Sequence, residues 1–304
     1  MNGSCLLCDG KHFEDEVVVY DRVMPRRDDY RLRRCRTCSL VSLAPFPDVS
    51  ASLYPEGYAP HAREVRSEQT PSWLARRRLI QPYAGSRLLD VGCGSGRMLA
   101  RHRAVGWDVR GIEPDEAAAR ICRERGFRVE SVSLEDAQLP EAHFDLILLH
   151  HVIEHVRQPV SALRRVRRAL APGGQVLVVT PNVGGLGFRL YGSCWYALDA
   201  PRHLHLFDAR TLGTLAERAG LRAVRIASEA SARVLASSRH YRRSQGAVLP
   251  SGLAARAAVI ARCRAAASGT AAFRRTVRPL ARVASWLGAG ETLRARLVVP
   301  GRQP

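Results

Sequence analysis

Apolar and polar positions alternate along this chain in two distinct periods. Val17-Val18-Val19-Tyr20 and Tyr30-Arg31-Leu32 read as short strands of a small ribbon. Leu88-Leu89-Asp90-Val91 is a buried strand that runs through Gly92-Cys93-Gly94-Ser95-Gly96 into a helix opening near Arg97-Met98. Trp107 to Ile112 predicts a second strand, Asp115 to Arg125 a helix begun by Pro114 and ended near Gly126, and Arg128 to Ser131 a short third strand. Phe144 to His150 is a continuous apolar run of strand length. Val160 to Leu170 carries apolar residues at helical spacing with arginines opposite, and Leu170-Ala171-Pro172-Gly173-Gly174 is a turn before a strand at Gln175 to Thr180. Ala223 to Ile226 predicts a sixth strand and Glu291 to Val299 a final one. A helical approach over Ser72 to Ile80 and two helices, Leu253 to Ala267 and Ala271 to Leu287, complete the pattern. Strand and helix signals in alternation imply an α/β fold whose parallel sheet is covered on both faces.

The glycine turn carries the first chemistry. Glycines at alternating positions permit unusual dihedrals and bring main-chain N–H groups close to a ligand. The spacing G-x-G-x-G differs from the dinucleotide fingerprint, whose third glycine would stand at Arg97, and it lacks the Lys-Ser/Thr of a P-loop. Glu113, about twenty residues beyond at the end of the second strand, suits a ribose diol. Asp90, Gly92, Gly94 and Glu113 therefore outline one nucleoside site.

On these residues the chain resembles the class I S-adenosylmethionine-dependent methyltransferases, whose glycine loop reads D-x-G-x-G-x-G. The likeness continues in order through Phe144 to His150, Val152-Ile153-Glu154-His155-Val156 and Leu170 to Gly174. It implies a Rossmann-like, doubly wound seven-stranded sheet with the last strand between the fifth and sixth, so the segment before that strand is a helical insertion. It also implies that Asp90, Gly92, Cys93, Gly94, Gly96, Glu113 and His150 line the donor site, with Glu135 or Asp136 meeting the adenine amino group.

Cysteines add a second module. Cys5-Leu6-Leu7-Cys8 and Cys35-Arg36-Thr37-Cys38 are two C-x-x-C pairs, each able to offer two thiolates to one tetrahedral zinc. Two disulfides, the alternative, are disfavoured in a reducing compartment. Cys93, Cys122, Cys194 and Cys263 are scattered and read as structural. A ribbon of this kind resembles that of a subgroup of bacterial methyltransferases acting on sugars, polysaccharide intermediates or small metabolites. The domain plan is then a zinc ribbon over 1–45, a linker with a helical approach over 46–84, the S-adenosylmethionine-binding core over 85–235, an Arg/Ala-rich insertion over 236–287, and a final strand and tail over 288–304.

Acceptor chemistry belongs beyond the carboxyl ends of the fourth and fifth strands. Five of the ten histidines, His150, His151, His155, His203 and His205, fall there. His203 is the first candidate general base and His155 the second, because a neutral imidazole accepts a hydroxyl proton near pH 7. If His151 begins a helical turn, then His151, Glu154 and His155 share one face, and with His203 they form a candidate second divalent-metal site. That arrangement resembles the E-x-x-E-H pattern of ubiquinone-pathway and small-RNA O-methyltransferases, with His151 in place of the first glutamate. Trp195, Tyr196, Arg202 and His205 form a candidate acceptor wall, an aromatic face beside an arginine suiting a phosphorylated sugar.

Charge shifts the question of partners. The 304 residues carry a formal net charge of +19, almost all of it arginine, since Lys11 is the only lysine. From Arg233 onward there are fourteen arginines and one acid, Glu291. This bias fits either an anionic surface or a solvated face, and the insertion is a candidate lid, dimer surface or membrane contact. The N-terminus lacks the basic and apolar regions of a secretory signal, and no apolar stretch is long enough to span a bilayer. The expectation is a cytoplasmic enzyme, with a peripheral place at the inner membrane face as its companion. The expected reaction is methylation of a small-molecule or glycan acceptor at oxygen. Rival readings are a C-methyltransferase acting on a nucleotide sugar and a nucleic-acid methyltransferase or binding protein that uses the ribbon and arginines as grips.

Overall fold

The computed structural model describes residues 3–24, 29–47, 53, 83, 85–245 and 271–301. The expected helices at Ser72 to Ile80 and Leu253 to Ala267 lie outside these residues, as does most of the 46–84 linker. The chain divides into two compact units: Met1–Leu53 with Val179–Leu215 and Arg225–Arg294, and Tyr54–Val178 with Ala216–Val224 and Ala295–Pro304.

In the first unit, β1 (Phe13–Tyr20), β2 (Asp29–Cys35), β3 (Val41–Ala44) and β9 (His205–Leu206) form an antiparallel sheet in that order. Alternation places Val19, Tyr30, Leu32, Val41 and Leu43 on one face, where they pack with Val183, Phe188, Trp195, Leu198 and Leu206. The expected division at residue 45 is thus crossed. Leu206 pairs with Val41, so a strand from beyond the fifth strand of the core completes the ribbon sheet. So short a ribbon cannot bury a core alone and recruits apolar partners from later in the chain.

The larger sheet has seven strands in the order β10 (Arg222–Glu229), β11 (Thr292–Val298), β8 (Leu170–Pro181), β7 (Phe144–His150), β4 (Arg87–Val91), β5 (Asp108–Ile112) and β6 (Arg128–Glu130). The last strand lies between the fifth and sixth, as the resemblance implies. β4 pairs in parallel with β5 and β7, and β5 in parallel with β6. This topology puts a switch point where strand order reverses about β4, the location at which open α/β sheets bind ligands.

Local signals set the helix ends. α1 (Arg97–Arg103) begins at Gly96, whose φ is 81°. α2 (Glu116–Glu124) is capped by Asp115, which accepts from the Ala118 amide at 2.9 Å, and Gly126, with φ 73°, closes its C-terminus. α3 (Pro159–Ala169) has proline in its first turn and buries Ala162, Leu163, Val166 and Ala169. β8 starts five residues before the expected strand: a Cβ at Gly174 would lie 2.7 Å from the Phe144 carbonyl, and only glycine lets the two backbones approach so closely. α4 (Leu186–Tyr191), α5 (Ala209–Arg218), α6 (Ala232–Gln245) and α7 (Ala271–Trp286) complete the described helices.

Candidate active site and metal centre

Within the second unit the glycine turn departs from β4 with left-handed conformations at Gly92 (φ 64°), Gly94 (φ 53°) and Gly96 (φ 81°). A Cβ at Gly92 would meet Val152 Cγ2 at 2.9 Å, so space as well as dihedral excludes a side chain there. The turn is anchored by the Gly92 N–H, which donates to the Ile112 carbonyl at 2.8 Å. Glu113, buried at the end of β5, accepts from the Gly94 amide at 2.7 Å and the Asp115 amide at 3.0 Å. Each carboxylate oxygen keeps a second lone pair, so this role is compatible with holding a diol. Cys122, read as structural, and Arg125, read only as a helix end, hold the loop's other side. The Cys122 thiol donates to the Gly94 carbonyl at 3.0 Å, and the Arg125 guanidinium donates to the Ser95 carbonyl. No local pattern marks either residue, because both reach the loop from α2 and its end, about thirty positions away.

Asp90 is the chemically exposed point of this arrangement. Its carboxyl is buried, and Oδ2 finds no hydrogen-bond partner among the described residues. Burial, reinforced by the nearby Glu113 charge, pushes its pKa up to about 8 despite Arg97. A ligand group that is cationic or donates a hydrogen bond would satisfy the orphaned oxygen and offset the repulsion. These residues therefore fit S-adenosylmethionine: a buried acid with one unpartnered oxygen, a glycine-rich backbone turn and a second acid just past the neighbouring strand.

Beyond β6, both adenine candidates are engaged locally. Glu135 Oε1 accepts from the Gln158 amide at 3.1 Å, and the exposed Asp136 accepts from the Ser133 hydroxyl at 2.6 Å. Arg165 on α3 fastens this loop by donating to the Ala137 and Glu135 carbonyls, both at 2.9 Å. His150 ends β7 half-buried, its ring 4.9 Å from that of His151. His151 does not open a helical turn. Its φ of 60° is left-handed, and the 3-10 turn covers only Ile153–His155. The expected i, i+3, i+4 face is therefore not formed. Instead His151 Nδ1 lies 2.9 Å from Oε1 of the fully buried Glu154.

In the first unit three of the four acceptor-wall candidates are structural. Arg202 is fully buried, and its donors are all taken: Nη1 and Nη2 bind Asp21 at 3.1 and 2.9 Å, Nε binds Asp199 at 2.9 Å, and the Leu53 and Ala200 carbonyls accept the rest. Trp195 is buried edge-on to Phe188 and donates Nε1–H to Glu291 at 2.8 Å. His205 is buried within β9, with Nδ1 3.0 Å from Ser42 Oγ and its ring edge-on to Phe46. A phosphorylated sugar cannot reach these groups without unpacking the ribbon. Tyr196 remains 38 % exposed beside the Tyr241 ring. His203 is nearly buried, and its Nδ1 lies 3.0 Å from the Ala197 carbonyl. That contact makes Nδ1 the protonated nitrogen and Nε2 the basic one.

The cysteine pairs converge in the first unit. Cys5 and Cys38 sulfurs are 3.5 Å apart, those of Cys8 and Cys35 3.6 Å, and all four lie within 4.8 Å of one another. Disulfide sulfurs sit about 2.05 Å apart, whereas the edge of a tetrahedron with zinc–sulfur bonds of about 2.3 Å is about 3.8 Å. Both pairs share one backbone turn. The Cys5 N–H donates to the Gly10 carbonyl and the Cys35 N–H to that of Leu40. The Asp9 and Ser39 N–H groups return to Cys5 and Cys35 at 2.8 Å, with φ of 61° and 70°. Burial raises the Cys5 thiol to about 11, a cost that a bound cation offsets. The four thiols fit a zinc ion.

A family model described as a methyltransferase domain matches residues 62–226. The tRNA U34 carboxymethyltransferase of Trichlorobacter lovleyi is 36% identical over 132 residues, which are 40% of this chain and 41% of that protein. The ubiquinone biosynthesis O-methyltransferase of Thiobacillus denitrificans is 33% identical over 153 residues, 46% of this chain and 66% of that protein. The chain thus spans less than two thirds of the length of these curated relatives. Among solved structures, an S-adenosylmethionine-dependent methyltransferase from Mesorhizobium loti aligns with 74% of this chain and 96% of its own at 19% identity, with a TM-score of 0.47.

Proposed function

The chain belongs to the methyltransferase-domain family, and from that premise we propose that it transfers a methyl group from S-adenosylmethionine to an oxygen of a small-molecule or glycan acceptor. The observation that carries this reading is the buried Asp90 carboxyl, whose Oδ2 has no partner among the described residues, beside a glycine turn braced by Glu113. Bound S-adenosylmethionine supplies an electrophilic methyl group on a sulfonium. Asp90, Gly92, Cys93, Gly94, Gly96, Glu113 and His150 bind and orient it, with Glu135 or Asp136 toward the adenine. His203 takes the acceptor's hydroxyl proton at Nε2, with Nδ1–H fixed on the Ala197 carbonyl, and His155 is the second candidate. Tyr196 offers the exposed aromatic edge for the acceptor. Cys5, Cys8, Cys35 and Cys38 hold a structural zinc ion that staples the ribbon.

Oxygen as the acceptor atom is supported by the likeness to ubiquinone-pathway O-methyltransferases; carbon methylation of a nucleotide sugar would use the same donor site. The likeness to a tRNA carboxymethyltransferase and the +19 charge support a second reading, a tRNA acceptor. Calorimetric titration with S-adenosylmethionine and S-adenosylhomocysteine, with metal content measured on the same sample, tests the donor site and the ribbon together. Binding near one equivalent with about one zinc per chain is the expected result. Failure of folded, zinc-loaded protein to bind either compound overturns the proposal. Methyl transfer to nucleotide sugars or catechols supports the first acceptor reading, and steeply salt-dependent binding and modification of tRNA the second.

A further inference from the structure

α7 (Ala271–Trp286) presents three faces rather than two. At about 100° per residue, Val277, Ala281 and Ala284 share the inner face, with Phe273 stacked against the Arg239 guanidinium of α6 at 4.1 Å. A neighbouring arc of about 120°, running from beside Phe273 round to the far side, carries Leu280, Val283, Trp286 and, just past the helix, Leu287, which are 50, 51, 85 and 66% exposed. Between these faces runs an exposed stripe of Arg275, Arg278 and Arg282. Isolated exposed apolar residues are ordinary, but a contiguous row ending in a nearly bare tryptophan is a contact surface.

The charge of the region selects the occupant. From Arg233 onward the only acid is Glu291, and it is buried against Trp195, so no acidic side chain of this segment neutralises the arginine stripe. An antiparallel isologous contact with a second copy would set stripe against stripe and repel. A neutral apolar partner would leave the arginines without counter-charge. We propose that α7 docks the protein on an anionic lipid bilayer, with Leu280, Val283, Trp286 and Leu287 entering the headgroup and acyl boundary and Arg275, Arg278 and Arg282 contacting lipid phosphates. No described helix is long and apolar enough to cross a membrane, and this contact requires none. The docking is independent of which acceptor is methylated.

The test is co-sedimentation of the full chain with phosphatidylglycerol–phosphatidylcholine vesicles and with phosphatidylcholine alone. Binding to the anionic vesicles, much weaker binding to neutral ones and loss of binding as salt rises from 50 to 500 mM are expected. Replacing Arg275, Arg278 and Arg282 by Glu should weaken anionic-vesicle binding by at least roughly 100-fold. Leu280→Ser with Trp286→Ser should weaken it at least about tenfold while leaving the melting temperature and S-adenosylhomocysteine binding unchanged. Wild-type protein that ignores anionic vesicles, or binds neutral ones equally well, overturns the proposal, as does full binding by both variants. A wild-type dimer that the serine variant dissociates, without vesicle binding, assigns the row to a second copy of the chain and also overturns it.

Discussion

Replacing Asp90 by Asn separates the stability cost of the donor site from its function. The carboxyl pKa stands near 8 in the fold against 3.8 for an unperturbed aspartate. The folded state therefore binds this proton more tightly than the unfolded chain does. The fold is favoured at acid pH and loses stability as pH rises from about 4 toward 8. At 1.36 kcal/mol per pH unit, burying Asp90 costs roughly 1.7 kcal/mol at pH 5 and roughly 4 kcal/mol at pH 7. Asn cannot titrate, so the stability of Asp90→Asn relative to wild type should rise by roughly 2.5 kcal/mol between those two pH values. For a chain of this length that is about 4 °C in melting temperature. Differential scanning fluorimetry of both proteins across pH 5 to 8 measures it, and the difference in slope is insensitive to any constant penalty of the amide. The variant should also bind S-adenosylhomocysteine about 10- to 100-fold more weakly, because the carboxyl can lose its proton to accept a ligand's donor at either oxygen and the amide cannot. Parallel melting curves for the two proteins from pH 5 to 8 would refute the reasoning, for they would show that Asp90 is not a buried proton-binding group.

Four further outcomes follow from named contacts. Gly92→Val places a β-branched residue at φ 64° with its Cβ 2.9 Å from Val152, and should cost at least about 2 kcal/mol and abolish cofactor binding by calorimetry. Cys35→Ser should lower zinc content measured by atomic emission and reduce thermal stability; metal-free wild-type protein of equal stability would contradict the metal centre. Arg202→Met leaves the buried Asp21 and the neighbouring Asp199 without their counter-charge and should cost about 3–5 kcal/mol, with partial recovery in the double variant carrying Asp21→Asn. A stable single variant with only a raised acceptor KM would restore the acceptor role to Arg202. His203→Ala should leave S-adenosylhomocysteine affinity unchanged and lower turnover about 100-fold or more, whereas unfolding of the variant would make His203 a packing residue.

The candidate donor site was legible in the chain because its parts are neighbours in sequence. A strand, a glycine turn and a helix lie within Leu88 to Met98, and the pairing acid follows at Glu113, so dihedral requirements and spacing identify the site. The two C-x-x-C pairs are legible for the same reason: each already holds half of a tetrahedron, and only the joining of the halves needs the fold. Burial is different in kind. Arg202, Trp195 and His205 have side chains suited to sugar and phosphate recognition, and apart from Asp199 and the Ala200 carbonyl beside Arg202 nothing within several residues of them says otherwise. What assigns them to the interior are Asp21, Glu291 and Ser42, distant by 181, 96 and 163 positions. The same holds for Cys122 and Arg125, which brace the glycine loop from another element, and for Trp286, whose helical period predicts a buried face but not which face remains uncovered. Local spacing specifies backbone conformation and ligand sets, because these depend on covalent neighbours. Whether a polar side chain meets a ligand or a partner within the protein depends on which distant segments share its surface, and tertiary packing alone decides that.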